Sequence, residues 1–399
     1  MKRLSVIAAL LCAALSFAHA QNNPYDIDDT CYEYFKMAEA LVGDTSNDAF
    51  DIANNALLKR AQEVGDEKAR TLHYVCLLKR VLRFARESKD ITEANETADR
   101  QFKVTTQVAQ ETGYQQYFYY AYTLIQNYYV NTRQEIHAQR LLTEMMDIAA
   151  RKQNEYGIWQ SNIYISQLYQ RQNDILNARK HLLRAVEVFD NTSDPVIRRQ
   201  SFTRQCYDLA GTYPTGSDSA RFFYRKAEEH ALTRGDTLRF ILGKAQLAAF
   251  DMQPDKYYKY RDFCLKDDTL ESVIYGASAL FPCIDAILDN APIREIEVLG
   301  TKVVARSQML YIRDLAIKYK RHDVATWFGT FIIVTLYHDF YRLNNVKMEE
   351  MTAMMNERQL NMKLDNQQRL ITLLWILVGI FAIVSGILVA FIISRKNNQ

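Results

Sequence analysis

The sequence predicts an all-α chain: a solenoid of helical hairpins, then a long stalk helix and one transmembrane helix. Three observations predict it. Glycine and proline are sparse, at 13 and 6 of 399 residues, and no alternating apolar–polar runs stand between hairpin turns. A helical-face pattern recurs every 40–42 residues. Near the end, residues 370–393 run for 24 positions without a charged side chain. At 1.5 Å per residue that stretch covers roughly 36 Å, enough to cross a hydrocarbon core of about 30 Å with some tilt.

At the start, Lys2 and Arg3 precede an apolar run over 4–17 and an Ala18-His19-Ala20 cleavage signal, so residues 1–20 read as a secretory signal peptide. Cys12 follows Leu11, where a lipoprotein signal needs a small residue. The cleaved signal sends the bulk of the chain outward until 370–393 stops transfer and leaves 394–399, with Arg395 and Lys396, in the cytoplasm. This predicts a single-pass protein of the inner membrane whose bulk is periplasmic. Without Lys2 and Arg3, the 49 basic and 47 acidic residues come into balance, so no net field attracts nucleic acid.

Residues 21–250 carry the repeat. Ala98, Phe102 and Thr105 are followed 40 residues later by Ala138, Leu142 and Met145, then by Ala178, Leu182 and Ala185, and 42 residues on by Ala220, Tyr224 and Ala227. Offsets of four and three put each trio on one helix face, with alanine where a neighbouring helix must approach. Helices near 49–65 and 68–87 begin the stack. Stacked pairs bury a continuous core and leave a concave surface suited to binding.

Tyrosine is abundant, at 25 residues, and it clusters at Tyr114, Tyr117, Tyr119, Tyr120, Tyr122, Tyr128 and Tyr129. Tyr119, Tyr122, Tyr128 and Tyr129 are candidates for a groove that holds a peptide or glycan, since tyrosine joins wide contact area to a polar tip. The alternative is that they pack between repeats.

From 251 to 322 the repeat fades around Pro254, Pro282 and Pro292, and helices at roughly 270–289 and 293–320 read as an atypical cap. No glycine or proline lies between Gly329 and Gly379, so residues 323–369 read as a stalk helix continuous with the span. Met348, Met351, Met355 and Met362 have coiled-coil spacing that Arg358 and Asp365 interrupt, and a helix folded back on the solenoid is the alternative. In the span, Gly379, Ala382, Gly386 and Ala390 form a small-residue face suited to a homodimer.

Motifs of chemistry are missing. No phosphate-binding glycine loop, metalloprotease helix or nucleophile elbow occurs. His322-Asp323 and His338-Asp339 precede the span, on the side without ATP, and are not phosphoacceptors; His73, His137, His181 and His230 lack ligand spacing. Cys31, Cys76, Cys206, Cys264 and Cys283 form no framework and read as small buried hydrophobes. No cofactor, metal or catalytic residue is expected, and the chain reads as a non-enzyme.

The unit at 159–192, with Ile165-Ser166 and Tyr169, a turn at Asn173-Asp174, then Ala178, Leu182 and Ala185, resembles the tetratricopeptide repeat. Leu209-Ala210, Tyr213 and Ala220, around a tight Pro214-Thr215-Gly216 turn, form a similar unit. The period is longer than the repeat's 34, Asn162 stands where the first helix carries tryptophan, and the closing proline is absent. With the cleaved signal, the glycine-free helix and the single span, the chain resembles the input half of tetratricopeptide membrane sensors of Bacteroides-type bacteria. That resemblance implies a histidine kinase or helix-turn-helix transcription regulator as cytoplasmic output, either beyond Gln399 or as a separate polypeptide. The expected function is a periplasmic sensor of a peptide, protein or glycan in transmembrane signal transduction. The alternative is a membrane-tethered scaffold for protein–protein interaction.

Overall fold

The computed structural model describes residues 23–338, apart from 45, 46, 173, 275 and 304. The expected signal peptide, the stalk beyond 338, the stretch 370–393 with Gly379, Ala382, Gly386 and Ala390, and the tail lie outside the described residues. Among the described residues no helix is long and apolar enough to cross a membrane.

Every regular element among the described residues is a helix. In the amino-terminal half, α1 (Asp29–Ala40) pairs with α2 (Asn47–Val64), α3 (Glu67–Ala85) with α4 (Ile91–Glu111), α5 (Gln115–Asn131) with α6 (Glu135–Arg151), and α7 (Glu155–Arg171) with α8 (Ile175–Asn191). A single turn, α9 (Pro195–Arg198), precedes the pairs α10 (Thr203–Ala210) with α11 (Asp218–Glu229) and α12 (Arg234–Phe250) with α13 (Pro254–Leu265). Then α14 (Leu270–Val273) leads to α15 (Ala277–Leu288) with α16 (Ile293–Gly300), and to α17 (Arg306–Lys318) followed by α18 over 322–338. First helices also pack on one another, α1 on α3, α3 on α5 and α5 on α7, so each hairpin covers the apolar face that the previous one leaves open.

The repeat trios do this work. Eleven of their twelve side chains, from Ala98 to Ala227, are buried, and only Tyr224 is half-buried. In α2, Ala53, Leu57 and Ala61 play the same part. Short polar side chains start the helices: Asp90 accepts from the N–H groups of Thr92 and Glu93, Asp174 from Asn177, and Thr233 forms a capping box with Asp236. Asp66 serves two hairpins, accepting from Ala69 at the start of α3 and from the main-chain N–H of Asp28 at 2.7 Å before α1.

Six connections share one turn. Gly65, Arg133, Gln153, Met252, Asn290 and Lys320 all lie in the left-handed region, with φ between 49° and 71°. In each, the N–H of the next residue reaches back five positions, as Gln134 does to Tyr129 and Arg321 to Ala316. This is the Schellman arrangement, which satisfies the last carbonyls of a helix.

Two expectations are corrected. The stack begins one helix earlier, at α1. The helices expected over 270–289 and 293–320 are each two, broken after Val273 and after Gly300; a Cβ on Gly300 would lie 2.6 Å from Cζ3 of Trp327. Of the two readings of 323–369, the first described turns fit the helix folded back on the solenoid: α18 buries Val324, Phe328 and Ile332 in the core shared with α15 and α17.

Candidate functional site

The tyrosines proposed from sequence as a groove are core residues. Tyr119, Tyr122, Tyr128 and Tyr129 are at most 4% exposed, because α5 is flanked by α3, α4, α6 and α7 and keeps no open face. Three hydroxyls are spent on neighbouring helices at 2.8 Å: Tyr122 donates to Glu144, Tyr128 to Asn95 and Tyr129 to Asp99. The Tyr119 hydroxyl is buried without a hydrogen-bond partner among the described residues, and its ring lies over Gly157. Burial pushes the Tyr119 hydroxyl up to about 12. These four side chains fix the register between repeats and present no groove.

An open site forms farther along, where the core is interrupted. Buried apolar side chains group into three clusters, over 27–168, 159–227 and 238–332. Between the second and third lies a cavity of about 460 Å³. Tyr207 and Asp208 of α10, Thr212 to Thr215 of the following turn, Tyr224 of α11, Gln246 of α12, and Gln308, Tyr311, Arg313 and Asp314 of α17 line it, with Arg179 of α8 at the edge. Tyr224, the one repeat position left half-buried, is half-buried because this space opens beside it.

Polar contacts organise the wall. Gln246, 5% exposed, accepts through Oε1 from the hydroxyls of Tyr207 at 3.2 Å and Tyr224 at 3.4 Å. Tyr311 donates to the main-chain carbonyl of Gln246 at 2.8 Å. Burial pushes all three tyrosine hydroxyls well above their ordinary value. Thr215 donates to Asp314 at 3.4 Å and so links the α10–α11 turn to α17. Arg313 holds Asp314 at 2.6 Å. Arg179 donates to the hydroxyl and carbonyl oxygens of Thr212 and stacks 4.2 Å over the ring of Tyr213. Asp208 lies 3.7 Å from Arg204; desolvation raises its carboxyl above the ordinary value, and Arg204 and Arg239 pull it partly back.

The wall therefore offers amide, carboxylate, guanidinium, hydroxyl, aliphatic and aromatic surface, with no cysteine or histidine. All five described cysteines are buried and unbridged, and burial pushes their thiols up to about 12. His73 and His181 are spent on Asn54 and Asn162 at 2.8 and 2.9 Å. No group of metal ligands occurs among the described residues. The sequence showed the tight Pro214-Thr215-Gly216 turn only as part of a repeat unit, and the half on α17, some hundred residues away, carries no local signal. Compared with known protein families and with curated proteins, the chain matches none.

Proposed function

We propose that the chain is the input part of a transmembrane signalling protein, exported and anchored by residues 370–393, whose helical solenoid binds a peptide, protein or glycan in the periplasm. The observation that carries this reading is the position of α17. One face of this helix lines the cavity, and the chain leads from it through α18 into 339–369 and the apolar stretch. A ligand that touches both the α10–α11 turn and α17 favours the placement of α17 that it binds more tightly, and it biases the helix that follows.

Two measurements test the reading in cells of the source organism. In spheroplasts, protease added outside digests the solenoid and leaves a tag fused after Gln399 intact; a digested tag contradicts the topology. Met351→Pro, placed between α18 and the span, keeps the solenoid folded and gives the transcript profile of the deletion strain. A wild-type profile from that variant speaks instead for a tethered scaffold that sends no signal.

A further inference from the structure

Resting on the reading that the cavity is the ligand site, we propose that its ligand is a neutral, hydroxyl-rich molecule of disaccharide size, held between tyrosine rings and a fixed amide–carboxylate pair.

Size comes first. A volume of about 460 Å³ lies at the small end of ligand sites, which run from about 300 to 1,000 Å³. It does not admit a peptide helix, about 10 Å across. The walls are helices and turns, so no strand edge is present here to extend an incoming peptide by backbone pairing. The apolar lining is shared between aliphatic side chains, Ile175, Leu247 and Leu310 among them, and the rings of Tyr207, Tyr224 and Tyr311, whose hydroxyls are tied into the wall.

Polar chemistry narrows the class further. Both tyrosine hydroxyls on Gln246 point to its Oε1, and among the described residues nothing accepts from its Nε2. A carboxamide 5% exposed, locked by two hydroxyls and with both N–H donors unspent, lacks acceptors that a ligand would supply. Asp208, in the same wall one residue from Tyr207, can only accept when ionised. A ligand that satisfies both must accept at one position and donate at another, as a molecule with several hydroxyls does. The C–H faces of a pyranose ring then lie against the tyrosine rings. An anionic ligand fits less well: of the three arginines in the lining, Arg313 is held by Asp314, Arg179 is spent on Thr212 and Tyr213, and Arg306 has contacts of its own, while Asp208 repels negative charge.

The test is isothermal titration calorimetry on the full chain in detergent. The probes are maltose, cellobiose, N,N′-diacetylchitobiose, tri-alanine and citrate. Binding of at least one disaccharide is expected. Asp208→Asn and the isosteric Gln246→Glu, each shown by circular dichroism to be folded at the assay temperature, are expected to weaken it at least about tenfold. Disaccharide binding that neither variant changes places the sugar elsewhere and overturns the proposal. Binding of tri-alanine or citrate alone overturns the ligand class and leaves the cavity as a binding site. Heat from none of the five overturns both this inference and the reading on which it rests.

Discussion

The hydroxyl of Tyr311 donates to the main-chain carbonyl of Gln246 at 2.8 Å, across 65 residues of sequence, and Tyr319 repeats the bond to Ala249 at 3.0 Å. Two tyrosines on and just past α17 thus fasten it to consecutive turns of α12. Gln246 is held from both ends, its carbonyl by α17 and its amide by α10 and α11. The amide that faces the cavity and the helix that leads onward share one residue.

Tyr311→Phe keeps the ring and removes the buried bond. It should cost about 1 kcal/mol or somewhat more, since the freed carbonyl is shielded from water. Urea unfolding followed by circular dichroism should show a lower midpoint at an unchanged slope.

The buried tyrosines also set an alkaline limit. The hydroxyls of Tyr207, Tyr224 and Tyr311 titrate well above the unfolded value of about 10. Folding therefore favours their protonated forms; the stability they contribute is fully present below about pH 10 and falls as pH rises beyond it. Urea midpoints measured from pH 8 to 11 should be flat and then decline, and Tyr311→Phe should shallow the decline.

Asp208 has the opposite consequence near neutrality. Its carboxyl titrates above the ordinary value because of desolvation, so ionisation at pH 7 opposes folding. Asp208→Asn should raise Tm at pH 7 and lose that advantage toward pH 3, where the wild-type carboxyl is protonated in both states. A stabilising substitution that also impairs binding is the trade expected of a functional group.

Gly157 separates α7 from the Tyr119 ring. A Cβ there would lie 2.5 Å from Tyr119 Cζ and 2.7 Å from Ala149 Cβ, and neither rigid neighbour can yield easily. Gly157→Ala should destabilise by roughly 2 kcal/mol despite its better helix propensity, a sign that thermal denaturation reads directly.

The left-handed turns give the reverse sign. Gln153 and Met252 hold φ of 49° and 56°, a conformation costly for any residue with a Cβ. Gln153→Gly and Met252→Gly should each stabilise by about 0.5–1 kcal/mol, after the entropy cost of glycine. Gln153→Val, β-branched, should destabilise.

Those turns also explain what was legible in the sequence. The trios from Ala98 to Ala227 were visible because small residues at a fixed period leave a local record, and the structure buries nearly all of them. The hairpin boundaries were hidden because arginine, glutamine, methionine, asparagine and lysine occupy left-handed positions where glycine would have announced a turn. The tyrosines of α5 were conspicuous in number, but their burial follows from neighbours on four sides, which no single segment records. The cavity was not legible for the same reason: its α10–α11 turn was visible only as a repeat turn, and Gln308, Tyr311 and Asp314 come to it only through stacking.

The most direct test of the cavity as the ligand site is photo-crosslinking in living cells. p-Benzoylphenylalanine placed at Leu310, in the cavity wall, should yield on illumination an adduct of a few hundred daltons, the size that such a cavity admits. The same group at Ile333, exposed on α18, should yield none. An adduct at Ile333 with none at Leu310 would contradict the account.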